Sequence, residues 1–226
     1  MIIYGKQVFW HLAKTKPELF EEVYLTKDIQ KDEFQKVGKL GVKILRLDEK
    51  KAQSLARGGA HQGFLAKVKP IELKSLQEFK KFDFVVVLVG VTDMGNIGSI
   101  IRSAYSMGID GLVLSGSKSF NLENAVKPSA GAIFDMPIAV VTNPLDLINE
   151  LKLDNFTMYG AVLNGDASKN LFQVGKKALL LGSEGDGLPR RVIEKLDKKV
   201  TIKMKNDFDS LNVAVAGAIL IDRMNG

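Results

Sequence analysis

Phe84-Val85-Val86-Val87-Leu88-Val89 is apolar at every position, so neither face of this segment is expected to meet water. A strand with one wet side alternates polar and apolar residues. A strand without alternation is buried on both sides, as in a largely parallel sheet covered by helices. Working outward, companion strands are expected at Leu112-Val113-Leu114, Met158-Tyr159-Gly160-Ala161-Val162, Ala178-Leu179-Leu180-Leu181 and Val200-Thr201-Ile202. Helical spacing fills residues 97–107, 144–151, 189–196 and 211–223 between and after them. The alternation predicts an α/β domain with its ligand site in loops at one edge of the sheet.

Upstream, residues 1–69 read as a smaller α/β domain. Helices are expected at 7–14, 32–39 (with Gly41 marking its end) and 49–57, and strands at Glu22-Val23-Tyr24-Leu25, Val42-Lys43-Ile44-Leu45 and Phe64-Leu65-Ala66-Lys67-Val68. Gly58-Gly59 breaks the third helix before the last strand. Pro70 opens a polar linker over 70–82, with a short helix at 73–79, and the larger domain occupies 83–226.

Composition narrows the chemistry. The 226 residues carry 32 Lys and Arg against 26 Asp and Glu, a net +6, and the sequence pI is near 9.3. That balance is compatible with a polyanionic partner without requiring one. There is no cysteine, which excludes disulfides, thiolate nucleophiles, iron–sulfur centres and Cys-based zinc sites. His11 and His61 stand far apart, and no metal site is expected. The opening Met1-Ile2-Ile3-Tyr4-Gly5-Lys6 lacks a signal-peptide pattern, and no apolar run reaches the roughly 18 residues of a membrane span, so a cytoplasmic protein is expected.

Three segments place polar or glycine residues where a strand hands over to a helix. In Val91-Thr92-Asp93-Met94-Gly95-Asn96-Ile97-Gly98-Ser99-Ile100-Ile101-Arg102, Asn96 is a candidate cap for the new helix and Gly98 a point of close approach. Arg102 lies between apolar neighbours and is expected to be partly buried; spacing leaves it open between an ion-pair residue and a rigid donor to phosphate or ribose oxygens. In Leu181-Gly182-Ser183-Glu184-Gly185-Asp186-Gly187-Leu188, the glycines let backbone approach a ligand. The spacing is neither Gly-x-Gly-x-x-Gly nor a P-loop. Glu184 is open between a site carboxylate, a helix cap and an ion pair with Arg190 or Arg191. In the third segment, ending Ser210-Leu211-Asn212-Val213-Ala214-Val215-Ala216-Gly217-Ala218, Ser210 reads as the cap of the last helix. Asn212 sits in an apolar run and needs a partner, and the small residues allow another segment close to that helix.

Taken in order, the three segments resemble the motifs of the SpoU/TrmH family of RNA ribose 2′-O-methyltransferases. Gly5-Lys6-Gln7-Val8 and His61-Gln62-Gly63-Phe64 resemble landmarks in the N-terminal substrate-binding domain of its 23S rRNA guanosine-2′-O-methyltransferase branch, and Lys127-Pro128-Ser129-Ala130-Gly131-Ala132 a family segment of the catalytic domain. The resemblance covers almost the whole chain. It implies a SPOUT-type α/β catalytic domain with a C-terminal trefoil knot, preceded by a small L30e-like domain. The chain departs from the family pattern in three places: Asp93-Met94 stands where Asp-Pro is common, Gln7 and Val8 match the substrate-domain pattern only loosely, and Asn206 occupies a common glycine position.

The resemblance further implies S-adenosyl-L-methionine as cofactor, held around Gly182, Gly187, Ile202, Met204 and Leu211, and Asn96, Arg102, Glu184, Ser210 and Asn212 as catalytic-site residues. It implies a homodimer acting on RNA, with a guanosine of 23S rRNA as the leading substrate. Alternatives are a tRNA or other rRNA ribose, and a non-catalytic RNA-binding or ribosome-assembly factor. Lys6, Lys36, Lys39, Arg57 and Lys67 are available for phosphate contacts, each open to being a solvated surface charge.

Overall fold

The computed structural model describes residues 1–27, 29–167, 174–205 and 210–225. The N-terminal part runs β1 (Ile2–Tyr4), α1 (Lys6–Thr15), β2 (Phe20–Leu25), α2 (Lys31–Gly38), β3 (Lys43–Arg46), α3 (Glu49–Leu55) and β4 (Phe64–Val68). Its four strands form one sheet in the order β1-β4-β2-β3, with β2 and β3 parallel and β4 antiparallel to β1 and β2. Phe9 and Leu12 of α1 cover one face of that sheet together with Val23, Phe64 and Ala66. Ala52 and Ala56 cover the other with Tyr24 and Leu65.

A short α4 (Leu76–Phe79) leads into the second part. It comprises β5 (Phe84–Val89), α5 (Met94–Ser106), β6 (Gly111–Ser115), β7 (Ile138–Val141), α6 (Pro144–Leu153), β8 (Thr157–Asp166), β9 (Lys177–Gly182), α7 (Arg190–Ile193), β10 (Lys198–Val200) and α8 (Val213–Asn225). The six strands are all parallel, in the order β10-β8-β9-β5-β6-β7. β5 sits inside the sheet and divides its side chains as the apolar run requires. Phe84, Val86 and Leu88 face a cluster with Ile97, Ile100, Ile101 and Leu220 of α5 and α8. Val85, Val87 and Val89 face one with Phe79, Leu147, Ile148 and Leu151 of α4 and α6.

Two strands escape the sequence reading, and one is shifted. β1 and β7 were not expected, and the strand expected at Val200-Thr201-Ile202 lies at Lys198–Val200. Lys198 and Lys199 look like loop residues, yet β10 is an edge strand, where charges are ordinary. Its pairing jumps from Gly160 to Asp166 between Lys199 and Val200, after which the chain leaves the sheet. α8 then returns to lie against α5 and β9. Gly217 is the crossing point: a methyl group there would come within 2.9 Å of Leu181 Cδ1.

The two parts are joined by contacts as well as by the chain. His11 Nε2 donates to Asp135 Oδ2 at 2.6 Å, and Thr15 Oγ1 donates to the same oxygen at 3.4 Å. Gly131, at φ 93, leaves room for the His11 ring. Buried apolar contacts continue from α1 to Ile133 and Met136 without a break.

Candidate active site

Val89 and Gly182 are register partners at the ends of β5 and β9, so the loops that follow them emerge side by side. The first loop ends in α5. Its cap is Asp93, whose Oδ1 accepts from the Asn96 backbone N–H at 2.7 Å, rather than Asn96 as the sequence suggested. The polar signal lay three residues upstream, where a capping aspartate belongs. Met94 takes the first helical position, which accommodates proline and other residues alike, so the departure from Asp-Pro falls where it matters least.

The second loop is a tight turn. Ser183 and Gly187 form an antiparallel bridge, the Gly187 N–H donates to the Ser183 carbonyl at 3.0 Å, and Gly187 adopts φ 66. Gly182 has no space for a side chain, because the backbone of Gly187 and Leu188 lies against it. The turn presents Glu184. That residue forms neither a helix cap nor a pair with Arg190 or Arg191; Arg190 instead donates to Glu194 at 3.0 Å.

The third contributor is the start of α8. Asn212, and not Ser210, is its cap: Oδ1 accepts from Ala214 N at 2.9 Å and Val215 N at 3.3 Å. The cap fixes the amide orientation, so Nδ2 must donate outward. It donates to Glu184 Oε1 at 2.6 Å and to Asn96 Oδ1 at 3.0 Å. Asn96 then has Nδ2 free to donate to the same Glu184 oxygen at 3.1 Å. Every donor and acceptor in this group is assigned by its neighbour, and Glu184 Oε2 bonds to no other described residue. The result is a carboxylate fixed at the mouth of three loops, with one oxygen unbonded among the described residues.

The other expected residues fall around this group. Arg102 is exposed, contrary to the expectation of partial burial, and bonds to no described residue. Its neighbours Ile100, Ile101 and Ala104 take the buried face of α5, which leaves position 102 outward. Ser210 is exposed. Ile202 is half-buried against the main core, and Met204 and Leu211 are half-buried on either side of residues 206–209. Asn206, which occupies a common glycine position of the family, lies outside the described residues. Thr201 holds the segment after β10, donating from N to Asp166 O at 3.0 Å and from Oγ1 to Leu163 O at 3.1 Å.

Sequence reasoning missed a groove of about 410 Å³ beside the network, between α5 and α8. It is lined by Ser99 and Ser103 on one side and Val215, Ala218 and Ile219 on the other, with Val215 48% exposed. The serine pair Ser99 and Ser103, four residues apart in the helix expected at 97–107, was the available signal. Gly98, expected as a point of close approach, is one: Pro128 and Ala125 leave no room for a methyl group there.

For a nucleoside cofactor the donor set fits. Methyl groups on Gly185 or Gly187 would meet nothing within 4 Å, so the turn's backbone borders open space. The half-buried Ile202, Met204 and Leu211 offer apolar surface from the neighbouring segments.

A family model described as the SpoU rRNA Methylase family matches residues 83–222, and one described as RNA 2'-O ribose methyltransferase substrate binding matches residues 2–74. The 23S rRNA (guanosine-2'-O-)-methyltransferase RlmB of Escherichia coli (strain K12) is 30% identical over 234 residues, covering 97% of this chain and 96% of the relative. The enzyme of that name from Photorhabdus laumondii is 31% identical over 97% of this chain and 95% of its own. Among solved structures, the SpoU methyltransferase AviRb from Streptomyces viridochromogenes in complex with AdoMet superposes with TM-score 0.81 at 21% identity, covering 100% of this chain and 89% of that one. The TrmH/SpoU tRNA modifying enzyme of A. aeolicus gives TM-score 0.58 at 23% identity, covering 66% of this chain and 80% of that one.

Proposed function

Because the chain belongs to the SpoU rRNA methylase family, we propose that it methylates a ribose 2′-hydroxyl in RNA with S-adenosyl-L-methionine, and that its substrate is a guanosine of 23S rRNA. The observation that carries the reading is the Asn96–Glu184–Asn212 network. It ties together three segments far apart in sequence and leaves one carboxylate oxygen unbonded among the described residues. Choice of rRNA rests on relatives of that name aligned along both sheets, whereas the tRNA-modifying neighbour overlaps only two thirds of the chain. Residues 1–69 then form the substrate-binding domain, 70–82 the linker and 83–226 the catalytic domain. Action on rRNA sets the enzyme in the cytoplasm.

Gly182, Gly187, Ile202, Met204 and Leu211 hold the cofactor, which supplies an electrophilic methyl carbon. The protein's part is placement, which can account for much of the rate without a covalent intermediate. Glu184, held by two amides, accepts a hydrogen bond from the incoming hydroxyl, fixes its direction and takes up the proton that the oxygen sheds as it gains the methyl group. Arg102 binds the adjoining phosphate and offsets negative charge developing on the ribose oxygen. A guanidinium remains protonated at neutral pH, so Arg102 acts as a donor. Ser210 binds the RNA backbone beside it.

Within one chain Arg102 touches none of the network. We place it in the site of a second copy that docks along the α5–α8 groove, where Val215 and Ile219 would be covered. The return of α8 against α5 and β9, after β10 has paired on the far side of β8, supports the knotted path expected for this family.

Labelled S-adenosylmethionine incubated with unmodified 23S rRNA and, separately, with tRNA tests the reading. Label in a 2′-O-methylguanosine of 23S rRNA is the expected result. Transfer to tRNA alone would transfer the assignment to the tRNA enzymes, and cofactor binding without transfer to either pool would make the protein a non-catalytic binder.

A further inference from the structure

The contact between the two sheets has a tight end and an open end. His11 and Asp135 close the first at 2.6 Å. The second is a cleft of about 630 Å³, with β1 and the end of α3 on one lip and residues 123–127 on the other. Its volume falls within the range of sites that take a nucleotide-sized ligand.

Arg57 stands on the first lip at φ 49, directly after α3. That is the left-handed position at which helices normally place glycine, and an arginine there carries backbone strain. Gly58 and Gly59 follow immediately, so glycine was close at hand for the turn. Among the described residues its guanidinium meets only Glu123 across the cleft, at 3.7 Å, with the side chains 72% and 44% exposed. Exposed pairs at this separation contribute little, so the ion pair does not account for the strain. Lys127 reaches over from the second lip, its Nζ 5.2 Å from the Tyr4 ring centroid and 3.4 Å from the Ala60 carbonyl. Ile2 and Leu55 give the cleft an apolar wall, and Leu55 is 37% exposed. Two cations above apolar surface suit a phosphate and an unstacked base together.

We propose that this interdomain cleft binds a single-stranded segment of the RNA substrate, with Arg57 and Lys127 on its phosphates, and that Glu123 holds the place of a phosphate until RNA displaces it. The proposal rests on the chain being an RNA methyltransferase. It adds a substrate contact remote from the reacting ribose and a carboxylate that opposes binding. Removing that carboxylate must therefore help RNA to bind, whereas a merely structural Arg57–Glu123 latch would be weakened by the same change.

Filter binding of an unmodified 23S rRNA transcript, without cofactor and over a range of KCl, separates the two. Glu123→Gln is expected to tighten binding about threefold by removing a competing charge. Arg57→Gly relieves the backbone strain, so its melting temperature should hold or rise while RNA binding weakens about fivefold and the salt slope falls by roughly one. Lys127→Ala should act in the same direction, and Lys195→Ala, an exposed lysine outside the cleft, should change nothing. Weaker or unchanged binding by E123Q, or wild-type binding by R57G, overturns the proposal. Methyl transfer by the wild type to the same transcript reports on the parent reading. Transfer with unaltered binding in the cleft variants removes the cleft and leaves the enzyme; absence of both transfer and binding removes both.

Discussion

Replacing Gly182 with alanine would test whether the turn after β9 holds the reacting groups in register. The added methyl group would stand 2.0 Å from the Gly187 carbonyl carbon, 2.3 Å from its oxygen and 2.3 Å from Leu188 N. All three are main-chain atoms, so no rotamer change relieves the contact. Carbon atoms rest about 3.5–4.0 Å apart, so one backbone must retreat by roughly 1.5 Å. Neither is free to do so: Gly182 is in register with Val89, and Leu188 is buried beside Gly160. Glu184 lies two residues away on the same turn and holds its partners at 2.6 and 3.1 Å, distances that such a shift would break. Overpacking costs about 1–3 kcal/mol and the main-chain contact points to the upper end. For a chain of this length that lowers the melting temperature by about 6–12 °C. Misplacement of about 1 Å should cost about a hundredfold in turnover. Calorimetric melting and single-turnover methyl transfer would measure both. Gly185→Ala is the control, since its methyl group meets nothing within 4 Å and should leave the melting temperature unchanged. Wild-type stability and turnover in G182A would refute the packing argument and with it the positioning of Glu184.

Three further changes probe other links. Asn212→Asp keeps an oxygen for the helix cap but sets a carboxylate 2.6 Å from Glu184 Oε1; melting should move by only a few degrees while methyl transfer falls at least about tenfold through like-charge repulsion. The Tyr24 phenol is pushed up to about 12 by burial, helped by its hydrogen bond to Glu22 and by the Glu22 and Glu21 charges. The folded state therefore keeps the proton longer than the unfolded state, and stability should fall as pH rises from 10 toward 12; urea melts of Tyr24→Phe should lose that slope. His11→Ala leaves the Asp135 carboxylate, 9% exposed, with Thr15 at 3.4 Å as its one side-chain partner among the described residues, and should lower the unfolding free energy by about 1–3 kcal/mol, with partial recovery in His11→Asn.

The uninterrupted apolar run at Phe84–Val89 announced a sheet buried on both faces, and its six side chains do divide between two clusters. Short edges were harder to read. β10 carries two lysines and so lacks apolarity, while β1 is apolar but only three residues long, too short to show the period by which strands are recognised. Strand order was invisible for another reason: β9 inserts between β8 and β5, a relation set by crossover connections and not by any local pattern. Asn212 was legible as a polar residue in apolar surroundings that needed a partner, but its partners are 28 and 116 residues away. Cap positions were misread by two or three residues at both helices, because several polar side chains compete for each helix start and geometry selects one.

Arg102 shows where motif order and spatial order separate. It lies six residues beyond Asn96 on α5, which carries it about 9 Å along the axis and about two thirds of a turn around it. Asn96 points to Glu184, so Arg102 is directed elsewhere, and its exposure agrees. If both act on one ribose, the arginine must come from a second chain. Mixing two inactive variants tests this: Arg102→Ala supplies an intact Glu184, and Glu184→Gln supplies an intact Arg102. Random re-pairing after mild dissociation makes half of the dimers mixed, each with one complete site, so about a quarter of wild-type activity should return. A site completed within one chain would leave the mixture as inactive as its parents, since every chain would still lack one of the two groups.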